Sequence, residues 1–165
     1  MEILVFSDSH RNLSPMLRVM QSHKDVAMVL FCGDGIGDAI SLSMEFPLIP
    51  LRAVRGNCDF TASLEYPEED FFEVAGVSVL LTHGHLYGVK HSTTRALERA
   101  KQLGADIVVF GHTHNALEAY EAVGEKRIAL FNPGSIGIKK DGALHYGIIE
   151  IKNGAFLLSH GTVDG

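Results

Sequence analysis

The order of apolar and polar positions along the chain predicts strands that alternate with amphipathic helices and then give way to hairpins. Residues 2–7 form a short apolar run rich in β-branched and aromatic side chains, the pattern of a buried strand. Ser14-Pro15 reads as a helix N-cap followed by a first-turn proline, and Leu13, Met16, Leu17 and Met20 recur at helical spacing to about Ser22. Residues 26–32 read as a second buried strand, 33–37 as a loop, 38–44 as a short helix, and 51–54 as a third strand closed by Gly56-Asn57. Strands and helices in strict alternation predict parallel strands joined by right-handed crossovers.

The pattern then changes. Residues 71–74 and 77–81 flank Ala75-Gly76 and read as a hairpin. Residues 92–103 give the clearest helix, with Ala96, Leu97, Ala100 and Leu103 on one face and Gly104 as its stop. Residues 107–110 are a buried strand. Residues 117–123 and 127–131 flank Gly124-Glu125, and 144–151 and 155–158 flank Lys152-Asn153-Gly154, giving two more hairpins. No linker, low-complexity segment or repeat interrupts the chain, so residues 1–165 read as a single domain of the α/β class. Two sheets packed face to face, with helices outside, would house both halves.

A chain of 165 residues, 46% hydrophobic and 21% charged, buries a core without crosslinks and is not disordered. Its net charge of −6 argues against coating a nucleic-acid polymer. Two cysteines make no disulfide framework; a Cys32–Cys58 bridge stays open but would be unusual in a cytoplasmic chain. No apolar run has membrane-spanning length, and Glu2 stands where a signal peptide wants a base, so the cytoplasm is the expected compartment.

Nine histidines are many for this length, and their placement carries the chemistry. Asp8-Ser9-His10, Gly33-Asp34, Gly56-Asn57-Cys58-Asp59, His83-Gly84-His85 and Gly111-His112-Thr113-His114 each follow an apolar strand. Alone, each is an ordinary turn or cap. In α/β sheets, however, sites form beyond the carboxyl ends of strands, so co-directional strands would bring all five clusters to one edge. Carboxylates, imidazoles and an amide are ligands of borderline divalent metals. Asp8, His10, Asp34, Asn57, His83, His112 and His114 are more donors than one ion needs, and they suit two ions sharing a carboxylate. Glycines beside the donors would let backbone approach the cluster.

As an ordered set, Asp-x-His, Gly-Asp, Gly-Asn-Cys-Asp, Thr-His-Gly-His and Gly-His-Thr-His resembles the calcineurin-like metallophosphoesterase superfamily. The likeness is greatest to its small prokaryotic phosphodiesterases, a branch to which the eukaryotic retromer scaffold subunit is also similar. It runs from Asp8 to about Ser135 and takes in Phe131-Asn132-Pro133-Gly134-Ser135. The resemblance implies a four-layer α/β/β/α sandwich of two mixed sheets with flanking helices. It also implies a dinuclear centre in which Asp8, His10 and His114 hold one ion, Asn57, His83 and His112 the other, and Asp34 bridges. A hydroxide between the ions would attack phosphorus in line. Manganese is the first expectation for the metal, with iron, zinc or nickel as alternatives. The expected substrate is a small phosphate ester, more readily a diester, and the chain is expected to be a monomer or homodimer.

One departure stands out. Many superfamily members carry a histidine after the Gly-Asn pair to protonate the leaving group; here that position is Cys58. A thiol with pKa about 8.5 is a poorer acid for a departing alkoxide than imidazolium. Either good leaving groups are favoured, or another group, His85 being nearest in sequence, supplies the proton. The substitution also keeps alternative roles open: a catalytically weak scaffold of the same fold, or a metal-bound nucleotide sensor. Asp38 competes with Asp34 for the bridging position, and Asp34 is preferred because it directly follows the strand. His23, His145 and His160 are expected to be surface or satisfied histidines, Lys139-Lys140 a solvated pair, and the acidic 61–70 stretch part of a rim.

Overall fold

The computed structural model describes residues 1–60, 65–124 and 126–164. Two five-stranded mixed sheets face each other. The first has the order β10-β9-β1-β2-β3, where β1 is Glu2–Phe6, β2 Val26–Phe31, β3 Leu51–Ala53, β9 Leu144–Lys152 and β10 Ala155–Val163. The second has the order β4-β5-β6-β8-β7, where β4 is Glu69–Val74, β5 Val77–Thr82, β6 Ile107–Phe110, β7 Ala116–Val123 and β8 Lys126–Pro133. β1, β2 and β3 are mutually parallel, as are β5, β6 and β8. Helices α1 (Ser14–Ser22) and α2 (Ile36–Glu45) cover the first sheet, and α3 (Thr94–Leu103) covers the second.

Strand alternation builds the layers. In β1, Ile3 and Val5 point between the sheets, with Val79, Leu81, Val109 and Phe131 of the second sheet. Leu4 and Phe6 point the other way, onto Met16, Val19 and Ala39 of α1 and α2. In β6, Ile107 and Val109 face inward, while Val108 and Phe110 meet Ala96 and Ala100 of α3. The buried strands are apolar on both faces because both faces are covered. Phe6, Phe31, Phe110 and Phe131 are fully buried, each stabilising the fold by about 1.5–3 kcal/mol. No described helix is long and apolar enough to cross a membrane.

Several element boundaries differ from the sequence expectation, and four of the differences have a visible cause. Ser14 is the first helical residue of α1, not its cap; Leu13 holds that position without a side-chain cap bond, and the Ser14 hydroxyl accepts from Arg18 instead. Helix α2 begins at Ile36 instead of Asp38. The carboxylate of Asp59, remote in sequence, accepts the N–H groups of Gly35 and Ile36 and so caps the helix earlier. Helix α3 begins at Thr94, and the Ser92 hydroxyl accepts the Thr94 N–H. β10 runs on to Val163, paired throughout with β9. The hairpin turn at Gly124-Glu125 falls partly outside the described residues, as do residues 61–64 of the expected acidic rim. Three of the described acids of that stretch form ion pairs: Glu68 with Arg55, Glu69 with Arg99, and Asp70 with Arg52.

Candidate metal centre

The parallel runs in each sheet bring the carboxyl ends of β1, β2, β3, β5 and β6 to one edge, and the seven expected donors stand there. In one group, Asp8 Oδ1 lies 3.1 Å from His114 Nε2 and 3.8 Å from His10 Nε2, and the two Nε2 atoms are 3.3 Å apart. In a second group, His83 Nε2 lies 3.1 Å from Asn57 Oδ1, 3.1 Å from His112 Nδ1 and 3.4 Å from Asp34 Oδ2. Asp34 also faces His10 and Cys58, the donor atoms of all three lying within 4.8 Å of one another. It therefore stands between the two groups.

Several features hold these atoms in place. His83 Nδ1 is 2.7 Å from the Cys32 carbonyl oxygen and donates its N–H there, which aims Nε2 at the other donors. Asp8 Oδ2 accepts from the Ser7 hydroxyl and from the His112 N–H. Asp8 Oδ1, fully buried, has no hydrogen-bond donor of acceptable geometry among the described residues. A buried carboxylate oxygen without a donor, facing two imidazole nitrogens, calls for a cation. Five of the seven residues, Asp8, His10, Asp34, His112 and His114, have φ between 48° and 66°. Side chains other than glycine rarely adopt this region, and such strain gathers at functional sites. At Gly56 a Cβ would lie 2.1 Å from Asp34 Oδ1, so only glycine allows this approach.

The electrostatics match a cation site. Burial opposes ionisation of Asp34, but the hydrogen bond and charge of His83 and the Cys58 N–H overcome it, holding the carboxyl well below its usual range. Burial also works against a charged His83, yet Asp34 and Asp8 raise its pKa above the ordinary value. Burial and the nearby His83 lower His85, and burial, His83 and Lys90 push His112 down to about 4. The Cys58 thiol is pushed up to about 11 by burial, by its hydrogen bond to Asp34 and by the charges of Asp34, Asp59 and Asp8. It therefore stays protonated at neutral pH. Cys32 and Cys58 are both free thiols.

His85 stands at the edge of the cluster, its ring 5.3 Å from His83 and 6.2 Å from His112. Asp38 is drawn off by the Ser9 hydroxyl, which leaves the position between the groups to Asp34. His23 bridges Glu2 and Tyr146, His145 pairs with Asp141, and His160 bonds the Asn132 carbonyl; all three are satisfied away from the cluster. Lys139 and Lys140 are exposed.

Three further residues, Asp59, Asn132 and Ser135, support the cluster. Asp59 accepts the N–H groups of Asp34, Gly35, Ile36 and Gly56, tying the β2 and β3 loops together. Its signal was the acid two places after Asn57. Asn132 and Ser135 brace the opposite side. Asn132 donates to the Gly111 carbonyl and to Thr113, and Ser135 donates to the Asp8 carbonyl.

Two facing mixed sheets with helices outside, and with carboxylates, imidazoles and an amide gathered at one edge, define a layered α/β protein with a candidate metal centre. The chain belongs to the calcineurin-like phosphoesterase superfamily, whose domain model matches residues 1–154. It is 32% identical over 158 residues to the probable metallophosphoesterase YsnB of Bacillus subtilis, covering 94% of this chain and 87% of that one. A predicted phosphoesterase from Streptococcus pneumoniae, solved as a crystal structure, superposes with a TM-score of 0.80 at 29% identity, over 98% of this chain and 88% of that one. A structure described as a novel archaeal phosphodiesterase shares the fold with a TM-score of 0.71 at 21% identity, over 99% of this chain and all of its own.

Proposed function

We propose that this chain is a metal-dependent phosphodiesterase, a single catalytic domain of the cytoplasm acting on small phosphate esters. The observation that carries the proposal is the arrangement of donors: two groups of ligand atoms, joined by Asp34, with the buried oxygen of Asp8 lacking a hydrogen-bond donor among the described residues. The residues fit two divalent ions. Asp8, His10 and His114 would hold one, Asn57, His83 and His112 the other, and Asp34 would touch both. Manganese is the first candidate by resemblance to the family, and the same donors admit iron, zinc or nickel.

Such ions supply charge neutralisation to a phosphoryl group and acidify water near neutral pH. The chain's own part is to fix the donors and manage protons. Hydrolysis forms a bond from a water oxygen to phosphorus and breaks the bond to the departing alcohol, which takes up a proton. Cys58, protonated at neutral pH and exposed beside Asp34, would deliver that proton. His85 is the other donor in reach of the cluster. Because a thiol with a raised pKa is a weak acid, esters of acidic alcohols should be the better substrates. The same weakness favours a second reading, a scaffold that keeps the fold and little turnover.

The test is hydrolysis of bis(p-nitrophenyl) phosphate by chelator-treated protein, with and without Mn²⁺, beside an Asn57→Ala variant. Turnover that requires metal and falls away in the variant supports the enzyme. A folded protein inert with every divalent metal supports the scaffold.

A further inference from the structure

Two grooves without a common lining residue lie near the donor cluster: the smaller includes two of its donors, and the larger meets only the segment between His112 and His114. One, of about 320 Å³, is bordered by His10, Asp34 and Cys58 and reaches Arg11 and Phe60. The other, of about 510 Å³, begins at Thr113, between His112 and His114. Its walls are Val89, Phe110 and Leu117, and its polar groups are Thr93, Asn115 and the ammonium of Lys90. Val89 packs against Gly84, in the turn that carries His83 and His85, where an added Cβ would meet it at 2.7 Å. This pocket is therefore built into the same turns that position the donors.

Its size and lining exceed what a phosphate needs. A phosphoryl group would be met by the donor cluster alone. A pocket of this volume, with apolar walls and a few polar groups, is what binds an organic moiety. Thr113 is already engaged, accepting from Asn132 and from the Asn115 N–H. Thr93, the Asn115 side chain and Lys90 thus remain to meet a ligand. Hydroxyl, amide and ammonium around an apolar wall match a nucleoside-sized group, which has apolar ring faces and hydroxyl and amide edges. Lys90 adds attraction for the negative charge that a diester keeps.

We infer that the pocket lined by Val89, Lys90, Thr93, Asn115 and Leu117 is the specificity pocket of this enzyme and holds the retained, nucleoside-sized alcohol of a phosphodiester. The inference rests on the diesterase reading above. The departing alcohol then leaves by the smaller groove, beside Cys58. A monoester would leave the larger pocket empty and gain nothing from it.

The test compares two esters with the same leaving group on the Mn²⁺-loaded chain: thymidine 5′-(p-nitrophenyl phosphate) and methyl p-nitrophenyl phosphate. The thymidyl ester should show a KM lower by about tenfold, the equivalent of one good set of contacts. Ala116→Trp, at an exposed position on the pocket wall, should raise that KM by about tenfold and leave kcat and KM for the methyl ester within about twofold. Equal KM values in the parent, or a variant that weakens both esters alike, would overturn the inference. If neither ester is hydrolysed, the diesterase reading fails, and the pocket is judged by binding. Thymidine 5′-monophosphate should then shift the methyl NMR signals of Val89 and Leu117 in the parent but not in Ala116→Trp. Unmoved methyl signals would overturn the pocket as well.

Discussion

The carboxylate of Asp59 accepts the backbone N–H of Asp34 at 2.8 Å, so the acid that stands between the two donor groups is positioned by a second acid behind it. The same carboxylate takes three more N–H groups, from Gly35, Ile36 and Gly56. Hydrogen bonds to a charged acceptor contribute about 1.5–3 kcal/mol each and do not add fully. Asp59→Ala should therefore destabilise the fold by about 3 kcal/mol in urea melts. It should also weaken Mn²⁺ binding by about 10–100-fold in calorimetry, as removal of an outer partner does. Unchanged metal affinity would show that the loops hold their shape without it.

Gly137 lies against the other side of the cluster. Its N–H donates to the Asp8 carbonyl, and a Cβ there would stand 2.0 Å from the Ser9 carbonyl oxygen. Backbone cannot yield as a side-chain tip can. Gly137→Ala should displace the turn that carries Asp8 and His10, with about 1–3 kcal/mol of destabilisation and loss of metal affinity in the same titration. A variant with the parent's melting temperature and affinity would contradict this.

Asp34→Asn keeps the shape and removes the charge between the donor groups. It should lower kcat/KM for bis(p-nitrophenyl) phosphate by about 100-fold or more, with circular dichroism unchanged. Activity within about threefold of the parent would remove Asp34 from its assigned place.

Away from the cluster, Glu69 accepts from Arg99 and from the Tyr87 hydroxyl, and Arg99 lowers its pKa below the ordinary 4.5. A depressed folded pKa gives stability that is present above the unfolded value and is lost as pH falls through the folded one. Glu69→Gln should thus melt lower than the parent at pH 7, with the gap closing below pH about 4. Burial and the bond to Glu69 push Tyr87 up to about 12. A gap that stays constant down to pH 3 would mean the ion pair contributes nothing to the acid limb.

The sequence carried the layers and the donors because both rest on local signals. Unbroken apolar runs in β1, β6 and β8 mark two covered faces, and Asp8, Asp34, His83 and His112 each stand one residue beyond such a run. What it did not carry depends on contacts between distant residues. The early start of α2 follows from Asp59, more than twenty residues downstream. The last five residues of β10 are weakly apolar and are strand only because β9 pairs with them. The pocket at Lys90 and Leu117 joins segments whose meeting no spacing announces.

Metal stoichiometry tests the account most directly. Chelator-treated protein should be equilibrated with Mn²⁺, desalted and measured for bound metal, beside Asn57→Ala. Two ions per chain in the parent and one in the variant are the predicted result. A parent that retains one ion or none, or a variant that matches it, would contradict a dinuclear centre built on these seven residues.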